Sequence, residues 1–181
     1  MPRIIGGSKK KMILKVPEGG LVRPTTDRIK ENVFNIINAD IAGSLFLDLF
    51  AGSGQIGLES LSRGAYYCVF IEKDSRACSI LRENIVKTGF KSYCLIKTDA
   101  MAFIHKCDIK FDLIYIDPPY NYDCYQKLID GIIDANLLND SGKIIIEHAR
   151  NIEINDICDI LEKNKEARYG NTVITVLKKR E

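Results

Sequence analysis

The amino-acid sequence predicts an α/β fold in which a mostly parallel sheet carries helices on both faces. From Leu45 onward, short apolar runs alternate with segments of helical periodicity, which is the pattern of consecutive β-α units. Two of the apolar runs end in chemically distinctive loops, at residues 52–57 and 117–120. The chain has 181 residues, of which 46% are hydrophobic and 28% charged, as in one ordinary globular domain.

Residues 1–20 are predicted to form a small β-hairpin extension, and residues 21–181 the main domain. Two short extended runs, at 3–7 and 12–16, flank a polar turn. A helix follows, which Thr25 or Thr26 can cap at its N-terminus. Helical spacing gives this helix an apolar face formed by Ile29, Val33, Ile36 and Ile37.

The main domain is predicted to alternate strands and helices up to a C-terminal hairpin. Strands are predicted at 45–50, 66–71, 93–97, 111–116 and 143–147. Helices are predicted at 55–63, 74–88, 100–107, 122–135 and 153–163. The last two strands, 167–169 and 172–177, are predicted to be antiparallel around the turn at Gly170-Asn171.

Composition narrows the function classes. The net charge is only +2, but residues 1–30 contain eight basic and two acidic side chains, which suits a phosphate-bearing partner or else a solvated tail. Six cysteines without a C-x-x-C pair, and only two histidines, argue against a zinc site. Scattered thiols, no signal peptide and no apolar run of membrane length predict a protein of the reducing cytoplasm.

The loop Asp117-Pro118-Pro119-Tyr120 follows a buried strand. Two prolines continue neither a ladder nor a helix, so Asp117 is predicted on a stiff loop at the carboxyl end of a central strand. The Asp117 carboxylate and the Pro118 carbonyl can accept from the N–H groups of an exocyclic base amine. Tyr120 offers a ring face for a base taken out of its stack. The alternative is a strand-ending turn in which Asp117 caps and Tyr120 packs.

The other loop has the pattern G-x-G-x-x-G, with small residues that let a ligand approach the backbone closely. Glu72, at the end of the next strand, can accept from ribose hydroxyls. Asp48, just before the glycines, suits a cationic ligand such as S-adenosylmethionine better than a pyrophosphate; otherwise it braces the loop. Asp99, after the third strand, can accept from an adenine amino group or cap the next helix.

Several blocks together resemble the RsmD family of 16S ribosomal RNA guanine-N2 methyltransferases over nearly the whole chain. The blocks are Arg3-Ile4-Ile5-Gly6-Gly7, Arg23-Pro24-Thr25, Leu47-Asp48-Leu49-Phe50-Ala51-Gly52-Ser53-Gly54, Gly57-Leu58-Glu59, Leu61-Ser62-Arg63-Gly64-Ala65 and Asp117-Pro118-Pro119-Tyr120. Gln55 departs from the family pattern, because many relatives carry a small residue there.

The resemblance implies a seven-stranded class I methyltransferase fold, S-adenosylmethionine as cofactor, and cytoplasmic action by a monomer on 16S ribosomal RNA in the small subunit or an assembly intermediate. No membrane and no metal are expected. The implied cofactor contacts are Asp48, Ala51, Gly52, Gly54, Glu72 and Asp99, and the implied catalytic residues are Asp117, Pro118, Pro119 and Tyr120. The candidate substrate contacts are Arg23, Thr25, Lys9, Lys10 and Lys11.

Three alternatives stay open on sequence grounds. A DNA adenine-N6 or cytosine-N4 methyltransferase would use the same Asp-Pro-Pro-Tyr loop, although the chain is short for an added DNA-recognition domain. An NAD-dependent oxidoreductase would use the glycine loop but leave residues 117–120 without a role. A non-catalytic RNA-binding module would keep the fold and the cofactor without turnover.

Overall fold

A computed structural model describes residues 2–17, 27–119, 125–154 and 158–180 of the chain. Its centre is a seven-stranded sheet in the order β3-β2-β1-β4-β5-β7-β6. The strands are β1 Leu45–Asp48, β2 Tyr67–Glu72, β3 Tyr93–Lys97, β4 Phe111–Ile116, β5 Leu138–Ala149, β6 Leu161–Tyr169 and β7 Thr172–Lys179. Strand β7 runs antiparallel to both of its neighbours, and the remaining pairs are parallel. The predicted fold class is confirmed.

Six α-helices surround this sheet in the described ranges. They are α1 Asp27–Ile36, α2 Asn38–Ile41, α3 Gln55–Ser62, α4 Ser75–Thr88, α5 Ala100–Ile104 and α6 Tyr125–Asp134. The longest, α4, begins where the Asp74 carboxylate accepts from the N–H of Ala77 at 2.8 Å. It ends at Gly89, which takes the left-handed conformation that a C-terminal cap favours. None of the helices in the described ranges has the length and apolarity to cross a membrane.

Two hydrophobic layers cover the two faces of the sheet. One layer joins alternate strand residues such as Phe46, Phe70 and Tyr115 to apolar side chains from α1, α3 and α4. The other layer joins the intervening residues, such as Leu47 and Ile114, to α5 and α6. This alternation follows from the two-residue period of a strand. At the carboxyl ends of the strands, the first layer borders the candidate site.

The helix predicted at 153–163 is wrong. Residues 152–154 have no regular structure, 155–157 lie outside the described residues, and β6 begins at Leu161. The segment pairs with β7 from Leu161 opposite Lys179 to Tyr169 opposite Thr172. Because β6 lies at an edge of the sheet, most of its side chains are exposed. The charged Lys163, Lys165 and Glu166 therefore hide the alternation of apolar and polar residues that a buried strand would show.

The N-terminal segment, residues 2–17, is fastened to α3 and α4 by buried polar side chains. Arg3 and Ile13 form a single antiparallel bridge, and a short 3-10 helix, Gly7–Lys9, closes the turn between them. The fully buried Glu59 accepts from the N–H groups of Ile5 and Gly6, both at 2.7 Å.

On α4, the fully buried Asn84 accepts from the N–H of Lys15 at 2.8 Å and donates to its carbonyl at 3.0 Å. We call Glu59 and Asn84 the anchor residues. The proposed domain boundary at residue 20 lies outside the described residues and stays a prediction.

Candidate active site

The carboxyl ends of β1, β4 and β5 bring three carboxylates and a phenol onto one face of the sheet. Asp48 ends β1 and pairs with Tyr115 of β4 in the strand register. Asp117 follows β4 directly, and Glu147 occupies the matching position in β5. Residues two apart on a strand share a face, as do residues in register on adjacent parallel strands. We call Asp48, Tyr115, Asp117 and Glu147 the acid cluster.

Burial and mutual repulsion set the protonation of the acid cluster. The pKa of Asp48 is raised to about 7, chiefly by burial and also by the charge of Glu72. The N–H of Gly57, which donates to Asp48 at 3.1 Å, lowers this pKa in part. The pKa of Asp117 is held well above its ordinary value by burial first, and then by the charges of Glu147 and Asp48. A cationic ligand beside these groups would relieve the repulsion and favour the ionised carboxylates.

The phenol of Tyr115 completes the acid cluster. Its hydroxyl donates a hydrogen bond to Glu147, and the side chain is 1% exposed. Burial, followed by the charge of Glu147, raises the pKa of Tyr115 well above its ordinary value, so the phenol stays protonated. Glu147 is therefore held in position from the adjacent strand, beside Asp117.

The glycine loop lies next to the acid cluster and is braced by Glu72. The two carboxylate oxygens of Glu72 accept from the N–H groups of Gly52 and Asp74, each at 2.8 Å. Gly52 takes a left-handed φ of 53°, and the space over its Cα is open. Gly57 has a different reason to be glycine, because a Cβ there would come within 2.1 Å of the Phe70 ring. The loop therefore combines an open edge with a close contact between α3 and β2.

The structure places the other predicted site residues unevenly. Asp99 is exposed and caps α5, accepting from the N–H of Met101 at 2.9 Å, which is the geometry of the capping alternative. Pro118 is buried and Pro119 exposed. Tyr120, Arg23 and Thr25 lie outside the described residues. Lys9, Lys10 and Lys11 lie on the turn of the N-terminal segment and have no contact with the acid cluster among the interactions of the described residues.

Sequence reasoning missed three residues of this region. Glu147 and Tyr115 were not predicted as site residues, although an acid at the end of a predicted strand was the same signal that singled out Glu72. The side-chain oxygen of Gln55, at the start of α3, is buried and has no hydrogen-bond partner among the described residues. A buried acceptor without a partner is costly, so a ligand with a donor group would stabilise it.

These residues fit S-adenosylmethionine, whose ammonium and sulfonium are cationic and whose ribose carries two hydroxyls. The buried acid Asp48 and the half-buried acid Asp117 suit the cationic part, and the orphaned oxygen of Gln55 suits a donor. The open space at Gly52 lets the ligand meet the loop backbone. Within the described ranges, no group of three or more His, Cys, Asp or Glu side chains could hold a metal ion.

Comparisons with known proteins agree with this geometry. The family model described as conserved hypothetical protein 95 matches residues 2–178. Over 145 residues, the chain is 34% identical to ribosomal RNA small subunit methyltransferase D of Escherichia coli K12, covering 80% of this chain and 73% of that protein. The chain belongs to the RsmD family. It is also 36% identical to the putative rRNA methyltransferase YlbH of Bacillus subtilis, over 98% of this chain and 99% of that protein.

Solved structures extend the RsmD family likeness to the fold. The putative methyltransferase yhhF from Escherichia coli superposes with a TM-score of 0.90 at 29% identity, covering 98% of this chain and 97% of that one. TrmN from Thermus thermophilus, at 20% identity and a TM-score of 0.72, shares the fold. The sheet with its antiparallel β7 is the class I methyltransferase architecture of these proteins.

Proposed function

We propose that this RsmD family chain transfers a methyl group from S-adenosylmethionine to the exocyclic N2 amine of a guanine in 16S ribosomal RNA of the cytoplasmic small subunit. The observation that carries the proposal is the position of Asp117. Its carboxyl lies on a Pro-Pro loop at the end of the central strand β4, beside buried Asp48 and next to the glycine loop. The relatives named ribosomal RNA small subunit methyltransferase D support the polymer.

Asp48 and Glu72, with the backbone at Ala51, Gly52 and Gly54, would hold the cofactor. S-adenosylmethionine supplies a methyl group bound to a positively charged sulfur. The carboxylate of Asp48 faces that charge, and Glu72 both orders the loop and offers oxygens to ribose hydroxyls. Asp99 is a further candidate contact for the adenine, next to its capping role.

Asp117 and the Pro118 carbonyl would accept from the two N–H groups of the guanine amine and orient its lone pair toward the methyl group. Tyr120 would stack on the flipped guanine ring. After transfer, the amine must lose a proton. With the cationic cofactor favouring its ionised form, the Asp117 carboxylate is placed to take up that proton. Most of the rate acceleration would come from positioning of the substrates and from preorganised charges. No covalent enzyme intermediate is needed.

On the substrate side, Lys9, Lys10, Lys11 and Arg23 are the proposed phosphate contacts, with Thr25 beside them. Lys10 and Lys11 are exposed on the turn of the N-terminal segment, where an RNA backbone can reach them. These contacts would position the RNA without reading its sequence, because phosphates are common to every nucleotide.

The test uses methyl-labelled S-adenosylmethionine and small ribosomal subunits that lack the modification, with naked duplex DNA as the competing substrate. We expect label only in 16S ribosomal RNA, recovered after nuclease digestion as N2-methylguanosine by mass spectrometry. Asp117→Ala should lower kcat about 100-fold or more, as loss of one preorganised polar group in an active site does.

Asp112→Ala is the matched control at the opposite end of β4. Asp112 accepts from the N–H of Leu45 at 2.8 Å and from the side chain of Asn139 at 2.7 Å, which are structural contacts. We expect this variant to be less stable and to keep its kcat. Label in DNA, or an Asp117→Ala variant with wild-type kcat, would refute the proposed reaction.

A further inference from the structure

A basic groove runs between the N-terminal segment and α4, away from the acid cluster. Its volume is about 520 Å³, which is within the range of small-ligand sites. The lining residues used below are Lys15, Arg82, Glu83, Asn84, Val86 and Lys87. Three cations and one carboxylate give the groove a net charge of +2, equal to that of the whole chain. The groove is therefore a locally basic surface.

Much of this positive charge is free to meet a ligand. Arg82 is exposed and makes no hydrogen bond or ion pair with any residue in the described ranges. Lys87 donates to the carbonyl oxygen of Ile13, which leaves its charge uncompensated. Lys15 is paired with Glu83, but half or more of each side chain is exposed, and exposed pairs of this kind exchange at little cost.

The floor of the groove touches the glycine loop. Asn84 donates to the carbonyl oxygen of Ser53 at 2.9 Å and also binds the backbone of Lys15. A polymer in the groove would therefore lie against the back of the loop that faces the acid cluster. The same N-terminal segment carries Lys10 and Lys11 on its turn, so basic side chains continue from the groove along the segment.

The chemistry of the groove favours a polyanion with a partly apolar backbone. Three cations along one groove can meet successive phosphates of a polymer. Val86, 80% exposed, is the large apolar side chain in the lining of the groove. One such side chain is too little for an apolar interface with another protein. Ribose and phosphate groups match alternating aliphatic and cationic contacts.

We propose that this groove binds the phosphate backbone of the substrate RNA outside the catalytic contact, an assignment that rests on the proposed function. Arg82 and Lys87 contact phosphates, and Val86 lies against a ribose. Phosphate contacts in the groove increase the affinity for the RNA and position it relative to the catalytic residues. They do not read the base sequence. Asn84 connects the two sites, because it binds both Ser53 in the glycine loop and Lys15 in the groove.

The test compares Val86→Glu with Val86→Gln, two variants that keep every cation of the groove. Cosedimentation with small ribosomal subunits lacking the modification is measured across a series of KCl concentrations. Val86→Glu and Arg82→Glu should weaken binding about fivefold to tenfold and reduce the slope of log K against log salt by about one. Val86→Gln should bind more tightly than Val86→Glu and keep the wild-type salt slope, because it adds no charge. Lys165→Glu, on the edge strand β6, should bind as the wild type does.

Calorimetric binding of S-adenosylhomocysteine reports that each variant keeps its fold and its cofactor site. Wild-type affinity and salt slope in both Arg82→Glu and Val86→Glu would overturn the groove assignment, while methylation of the subunits would leave the proposed function standing. Equal losses in Val86→Glu and Val86→Gln would overturn the phosphate assignment, because charge would have no part. Wild-type protein that neither binds nor methylates the subunits would overturn both proposals.

Discussion

Buried carboxylates occur in two regions of this molecule, and their surroundings differ: hydrogen-bond donors surround one, and other carboxylates surround the other. Among the anchor residues, Glu59 is 0% exposed and accepts three hydrogen bonds, from Ile5, Gly6 and the side chain of Arg63. In the acid cluster, Asp48 is 2% exposed and faces other carboxylates. Each donor around Glu59 comes from the chain itself, whereas the charges nearest to Asp117 repel it.

The difference separates a structural use of buried charge from a functional one. A buried carboxylate with satisfied oxygens fixes one conformation, here the docking of the N-terminal segment on α3. A group of buried carboxylates that repel each other destabilises the fold until a cationic ligand arrives. In a fold that binds a cationic cofactor, this destabilisation is located at the binding site, where the bound cofactor relieves the repulsion.

Removing the carboxylate of Glu59 should give the largest loss of stability. Glu59→Ala leaves two backbone donors and Arg63 without their acceptor, and breaking a buried pair of this kind costs about 3 to 5 kcal/mol. Urea denaturation measures the change in unfolding free energy. Glu83→Ala is the matched control, because its ion pair with Lys15 is exposed and is worth about 0 to 1 kcal/mol. Equal losses in the two variants would remove the distinction drawn for the anchor residues.

Removing the charge of Asp48 should increase the stability of the protein at neutral and higher pH, whereas removing that of Glu59 decreases it. Its pKa in the folded protein, about 7, lies above the ordinary value of 3.8, so the folded state binds the proton more tightly than the unfolded state. The stability that this provides is present below about pH 4 and is lost as the pH rises through about 7. Above that pH, Asp48→Asn should be more stable than the wild type by on the order of 4 kcal/mol.

Unfolding free energies of Asp48→Asn and the wild type, measured side by side from pH 4 to pH 8, give the difference directly. We expect the difference to grow with pH, and the variant to bind S-adenosylmethionine more weakly although it is more stable. A constant difference across this range would mean that Asp48 is not the titrating group.

The sequence predicted the parts of this comparison unequally. Asp48 and Asp117 could be found because the first lies within an apolar run and the second directly follows one, each beside a loop with its own local signature. The anchor residues could not, because Glu59 and Asn84 bind backbone groups of the N-terminal segment 53 to 69 residues away, and no local pattern encodes such a contact. The hairpin at 167–169 and 172–177 was predicted, but the first part of β6, residues 161–166, was missed, since it exposes charged side chains that alternate poorly.

The acid cluster was only half predicted. Asp48 and Asp117 were identified, but Glu147 enters the cluster through the register between β4 and β5, which sequence alone does not give. Tyr115 appeared as an apolar residue of a buried strand, and its hydrogen bond to Glu147 depends on the same register. The register of parallel strands joined by helices is set by tertiary packing.

Two glycines at opposite ends of β1 give the finest test of the comparison, with the smallest expected change in stability. Gly43 and Gly52 have left-handed φ angles of 79° and 53°, and a Cβ at either position would meet no atom within 4 Å. Alanine should therefore cost about 1 to 2 kcal/mol at each position, because the strain is conformational in both.

Only Gly52 lies in the glycine loop, with its N–H bound to Glu72. The two alanine variants should thus have similar unfolding free energies, while calorimetry detects weaker S-adenosylmethionine binding in Gly52→Ala alone. If both variants bind the cofactor equally well, the open space over Gly52 is not part of the cofactor site. In that case, the distinction between structural and functional positions would hold for the acid cluster and not for the loop beside it.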